Sequence, residues 1–171
     1  MFRSVIAEAH LNSLGMKDLS VLSSGTTAAL DKARNLAHYR TTLELLERHG
    51  IQEFAKAGYG DQLTQSRLER ADITVCMNQR VYDECLRCVI FPARPRIWSV
   101  ADIGEPGRIS DVESQRQLYR EEAYQQIVEN VDRLMSTLTL ASAGRSPRAA
   151  RGRHQRRAGA RPQQHAAGHH G

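Results

Sequence analysis

Short strand-like runs alternate with helical ones from residue 4 to residue 138, and this alternation restricts the fold more than any other feature. The run Ile73-Thr74-Val75-Cys76-Met77 is continuous and β-branched, the pattern of a strand buried on both faces. Helical spacing precedes and follows it. Two further strands are predicted, one over residues 19–22 leading into the turn Ser23-Ser24-Gly25-Thr26, the other over residues 96–100 after the breaking prolines Pro92 and Pro95. Strands separated by helices cannot pair as hairpins. They pair in parallel through crossovers, which predicts an α/β layer fold.

The helices have their own marks. Residues 4–14 place Ala7, Leu11 and Leu14 at helical spacing, with Val5 over Ala9, and stop at Gly15. Residues 31–49 carry Leu36, Tyr39, Leu43 and Leu46 on one predicted face and end at a C-capping Gly50. Shorter helices are predicted over residues 64–71 and 78–89. Ser110 and Glu113 form a capping box opening a long last helix, whose stripe reads Leu118, Ala123, Ile127, Val131, Leu134 and Leu138. No internal repeat is visible.

Composition changes sharply after residue 141. Residues 142–171 hold seven of the 24 basic residues, four of the seven histidines, no acid and no Val, Leu or Ile. The remainder, 1–141, therefore carries 17 bases against 19 acids and is mildly acidic in spite of the overall charge of +5. The basic segment has too little apolar surface to offset the entropy of ordering it and is expected to be a disordered tail. Its arginines suit nonspecific phosphate contacts but come without aromatics to stack bases, so no specific nucleic-acid partner is expected. No run is long and apolar enough for a membrane span and no secretory signal is evident, so a cytoplasmic location is expected. The three cysteines, Cys76, Cys85 and Cys88, are expected to be reduced thiols. Cys85 and Cys88 have Cys-x-x-Cys spacing, but inside a helix and without a second pair for zinc, so neither a redox motif nor a metal site is expected.

The opening Arg3-Ser4-Val5-Ile6-Ala7-Glu8-Ala9 resembles the end of the phosphate loop and the start of the first helix in the low-molecular-weight protein tyrosine phosphatases. Further segments are similar in the same order. They are Val21-Leu22-Ser23-Ser24-Gly25-Thr26, Leu45-Leu46-Glu47-Arg48-His49-Gly50-Ile51, Gln62-Leu63-Thr64, Glu69-Arg70-Ala71-Asp72-Ile73 with Cys76-Met77, and Asp102-Ile103-Gly104-Glu105-Pro106. Together they span about residues 3–138. The resemblance implies a three-layer, flavodoxin-like parallel sheet and hydrolysis of phosphomonoesters, phosphotyrosine above all, without a cofactor or metal.

In that chemistry a Cys thiolate attacks phosphorus. Loop amides and the positive end of the following helix hold the phosphoryl group, and an Arg donates to its oxygens. A loop acid protonates the leaving phenolate. The resemblance assigns Arg3 and Ser4 to the last two loop positions. It assigns Glu105, directly before Pro106, to the general acid, where the family has Asp, with Asp102 as the alternative acid. Gly107 stands where the family has an aromatic residue beside the substrate ring. On this pattern the nucleophilic Cys and the first, central strand fall ahead of Met1, so the chain as it stands is expected to be inactive. The expected partner is a phosphorylated protein or a small phosphomonoester; the oligomeric state is left open. A noncatalytic phosphate-binding module and an arsenate reductase-like protein are the alternatives.

Overall fold

The structure is a computed structural model and describes residues 3–30, 32–56, 58, 60–102 and 112–143. It divides into two units, Met1–Met135 and Ser136–Gly171. In the first unit, α1 (Arg3–Ser13) is followed by β1 (Ser24–Gly25), α2 (Lys32–Arg48), a 3-10 turn (Gln52–Phe54), β2 (Asp61–Gln62) and α3 (Gln65–Glu69). Then come β3 (Val75–Cys76), α4 (Gln79–Cys85), β4 (Arg96–Ile97) and α5 (Glu113–Ala143), whose last residues are the described part of the second unit. The capping residue Ser110 and the predicted disordered tail from residue 144 lie outside the described residues; Ser142 and Ala143, also expected in that tail, end α5 as helix.

Among the described residues both strand pairs are parallel, as the alternation predicts. β1 lies beside β2 in the register Ser24 opposite Asp61 and Gly25 opposite Gln62; β3 lies beside β4 with Val75 opposite Arg96 and Cys76 opposite Ile97. Backbone bonds lengthen the second ladder at both ends. Arg96 N donates to Thr74 O, Trp98 N to Cys76 O and Val100 N to Met77 O, each at 2.9 Å. Among the described residues the four strands form two separate two-stranded sheets.

Two strand expectations are corrected. Residues 19–22 form no ladder, and the pairing falls on Ser24 and Gly25, within the expected turn. Leu22 is largely exposed there. The run 73–77 is not buried on both faces: Ile73 is 40% exposed, and only Cys76 and Met77 are buried. The physical reason is that β3 has a ladder partner, β4, along only one edge among the described residues.

The core is built on α1, which is buried nearly all round. Ile6 and Ala9 of α1, Thr42, Leu45 and Leu46 of α2, and Ala123, Ile127 and Val131 of α5 are wholly buried, with Val100 just behind them. Each large aliphatic chain among these contributes about 1.5–3 kcal/mol by leaving water. The buried face of α2 runs Asn35, Tyr39, Thr42, Leu45 and Leu46, rotated from the expected stripe, and Leu36 is 41% exposed. Thr42 can lie inside because its hydroxyl donates to His38 O at 2.8 Å, one turn back. Leu14 and Leu118, also expected in stripes, are exposed at the ends of their helices. A smaller cluster, Leu68, Cys85 and Val89 with Leu63, Val81 and Phe91, packs α3 against α4.

Helix ends follow local chemistry. Gly50 takes φ 68°, and the bonds Gly50 N to Glu47 O and Ile51 N to Leu46 O close α2 in a Schellman turn. Asn78, extended, caps α4 by accepting from Val81 N at 2.9 Å.

Candidate active site

Arg3 is the first residue of α1, and its guanidinium points to the carboxyl end of β4. Nη1 donates to Val100 O at 2.7 Å and Nη2 to Asp102 Oδ2 at 2.9 Å. The residue is only 9% exposed. Two local facts bring these groups together. Val100 is tied to the end of β3 by its N–H on Met77 O, which fixes the position of its carbonyl. α1 is held in the core by Val5, Ile6 and Ala9, which fixes where its N-terminus emerges.

Ser4, half-buried, follows Arg3 in the first turn of α1. The first amides of a helix have no partners within it, and they carry the positive end of its dipole. The helix therefore adds to the field of Arg3 at the same point. Carboxyl ends of parallel strands facing a helix N-terminus are where α/β folds place anionic ligands.

A second guanidinium stands beyond Asp102. Arg80, in the first turn of α4, has Nη2 at 3.6 Å from Asp102 Oδ2 and Nε at 3.2 Å from Glu84 Oε1. Arg80 is 56% exposed and Asp102 25%. One carboxylate thus lies between a buried cation and an exposed one. Arg80 was not among the sequence-predicted site residues. Its position follows from the parallel pairing of β3 and β4, which brings the start of α4 and the end of β4 to one end of the sheet, and nothing local announces it. Glu105, like Gly107, lies outside the described residues.

The cysteines are all free, and they are arranged otherwise than their spacing suggests. Cys85 pairs with Cys76 across β3 and α4, and Cys88 is exposed. The Cys76 thiol is held protonated because it donates to Cys85 and is buried; the same hydrogen bond lowers the pKa of Cys85. Among the described residues no group of three or more His, Cys, Asp or Glu could hold a metal ion. No helix among them is long and apolar enough to cross a membrane.

A separate cleft of about 350 Å³ opens beside β2, lined by Ala28, Ala29, Lys56, Gly58, Gly60, Asp61 and Gln62. Gln62 shapes its wall: Oε1 accepts from Ala29 N at 3.1 Å and Nε2 donates to Thr26 O at 2.7 Å. Asp61 is ion-paired with Lys56 and with Arg67, the latter at 2.6 Å. The hydrogen bond from Lys56 leads the causes that hold its carboxyl below the usual range.

No curated protein and no solved structure matches the chain. A family model does: the one described as low molecular weight phosphotyrosine protein phosphatase matches residues 1–146, most of the length, and takes in Arg3, Ser4, Asp102 and Glu105. The chain belongs to the low molecular weight phosphotyrosine protein phosphatase family.

Proposed function

We propose that the site at Arg3 holds the phosphoryl group of a phosphomonoester, with phosphotyrosine in a protein as the substrate class, and that the complete enzyme cleaves it. The observation that carries this reading is the seat of Arg3: a buried guanidinium at the N-terminus of a core helix, opposite the carboxyl end of β4. Family membership supplies the reaction class.

In this reading Arg3 and Ser4 close a phosphate loop whose nucleophilic Cys stands ahead of Met1. A strand leading into that loop runs between β1 and β3 and joins the two parallel ladders into one central sheet of a three-layer fold. The thiolate attacks phosphorus and the P–O bond to the phenol breaks. The leaving oxygen takes its proton from Glu105, and water then cleaves the P–S bond to release phosphate. Arg3 stabilises the charge on the equatorial oxygens with two donors of its planar fork. Asp102 already accepts from Arg3, which favours Glu105 over Asp102 as the acid. The free thiols suit a reducing compartment, and the reading places the protein in the cytoplasm. The basic segment from residue 142 takes no part in the chemistry.

A second reading is phosphate binding without cleavage. It is favoured by the placement of the three cysteines: Cys76 and Cys85 hydrogen-bond each other in the interior, and Cys88 lies on the surface after α4. One comparison separates the two. The chain and a version extended upstream to include a Cys separated from Arg3 by five residues are assayed on a phosphotyrosine peptide and on nitrophenyl phosphate. The extended protein is expected to turn over both, to lose most of its rate with Arg3→Lys because a point charge cannot replace the fork, and to lose peptide activity selectively with Glu105→Gln. An inactive extended protein that still binds phosphate through Arg3 leaves the binding module.

A further inference from the structure

Asp102 holds Nη2 of Arg3, and Arg80 stands on its far side. Arg3 is 9% exposed, so its charge is largely out of water and needs a counter-charge whenever no ligand is present. The Asp102 carboxylate supplies one at 2.9 Å. A phosphoryl dianion brought to the same guanidinium meets that carboxylate as a like charge, and the two cannot share the fork without repulsion. Arg80 Nη2 lies 3.6 Å from the same carboxylate oxygen, and its side chain is exposed, with Nε on Glu84.

We infer that Asp102 is a resident counter-ion that phosphate must displace from Arg3, and that Arg80 receives it. In the empty site Asp102 neutralises the buried guanidinium and keeps it aimed. When a phosphoryl group arrives, Nη1 of Arg3 stays on Val100 O as a pivot, the Nε–Nη2 edge of its fork turns to the ligand, and Asp102 moves over to Arg80. Arg80 then contacts the carboxylate and not the ligand, which makes it a positioning residue. The exchange lets one pair of cations serve both states and sets a threshold: a weakly charged anion does not dislodge the carboxylate, and a dianion does. This inference rests on the reading of Arg3 as the phosphate holder.

The test titrates inorganic phosphate into the full chain by calorimetry and follows thermal unfolding across the same concentrations. Asp102→Asn is expected to bind phosphate roughly five- to tenfold more tightly, because a like charge a few ångströms from the ligand is gone. It is also expected to melt below wild type without phosphate and to close that gap as phosphate rises, since a ligand stabilises the state it binds. Arg80→Gln is expected to weaken binding in the wild-type background and to have a smaller effect when combined with Asp102→Asn. A second measurement needs no variant: the carboxyl carbon resonance of Asp102 shifts on saturation with phosphate. Equal or weaker binding by Asp102→Asn, or an unmoved Asp102 resonance at saturation, overturns the exchange while leaving Arg3 in place. Phosphate binding by Arg3→Gln equal to wild type, or no binding by any of these chains, sinks the reading of Arg3 and the exchange together.

Discussion

His49 lies flat on Tyr124, ring centroids 3.6 Å apart and planes 11° from parallel, while its Nε2 stands 2.7 Å from Glu121 Oε2. The contact fastens the end of α2 to α5 through an aromatic face and a polar edge at once. Arg48 adds a 3.0 Å ion pair to the other oxygen of Glu121. The two contacts are unequal, because the Arg48 pair is largely exposed and exposed pairs contribute little. His49→Ala is expected to lower the unfolding free energy by about 1–2 kcal/mol, and Arg48→Ala by less than about 1 kcal/mol. Urea denaturation of both variants checks the ranking, and a larger loss from Arg48→Ala would show that the charge, and not the stack, fastens the helices.

The same tyrosine meets His10 of α1 edge-on, at 6.4 Å between centroids. Burial lowers the pKa of His10 from its usual 6.5, against an opposing pull from Asp132, and its Nδ1 is buried without a partner among the described residues. A histidine with a depressed folded pKa binds fewer protons folded than unfolded. Its contribution is therefore fully present above pH 6.5 and is lost as pH falls through the folded value. Stability is expected to decline as pH drops below 6.5, before the carboxylates begin to titrate. His10→Phe, which keeps a ring against Tyr124, should flatten that part of the curve; an unchanged slope would assign it to another group.

What the sequence made legible was local. The C-cap at Gly50, the helix stop at Gly15 and the long run of α5 are written in neighbouring residues, and each helix appears within a few residues of its predicted ends. Pairing was legible only as a class. Parallel ladders follow from strand–helix alternation, but the paired dipeptides Ser24-Gly25 and Asp61-Gln62 have no β-branched or apolar signature and are set by distant contacts. The buried face of α2 departs from the predicted stripe because Thr42, polar by type, is buried with its hydroxyl satisfied within the helix. At the candidate site the sequence proposes Arg3 and Asp102 separately, whereas their direct contact depends on pairing across the sheet, as does the place of Arg80.

The thiols give a chemical test of that pairing. Cys88 is exposed, whereas Cys76 and Cys85 are buried free thiols hydrogen-bonded to each other. Iodoacetamide is expected to modify Cys88 rapidly in the native protein and the other two only slowly. Of these, Cys85 should react first, because the bond from Cys76 lowers its pKa while that of Cys76 is raised. Peptide mapping by mass spectrometry over time gives the order. Early modification of Cys76 would mean that β3 and α4 separate readily or that the donor is Cys85.

Glu8 joins α1 to the chain entering β1. It is 4% exposed, and its Oε2 accepts from the backbone N–H of Ser23 at 3.1 Å. Ser23 is itself buried, and its hydroxyl has no partner among the described residues, so this N–H lies in a polar-poor spot. Losing the acceptor there is costly because no water replaces it. Glu8→Ala is expected to cost about 1–3 kcal/mol, the range for a buried group left unsatisfied. Glu8→Gln keeps a carbonyl acceptor of the same reach and is expected to cost clearly less. Amide exchange tells loss of the bond from loss of packing: the Ser23 amide should exchange faster in Glu8→Ala and near the wild-type rate in Glu8→Gln. If both variants lose stability equally, the negative charge matters at this position and not the acceptor, and the field at the N-terminal half of α1, where Arg3 sits, becomes its natural partner.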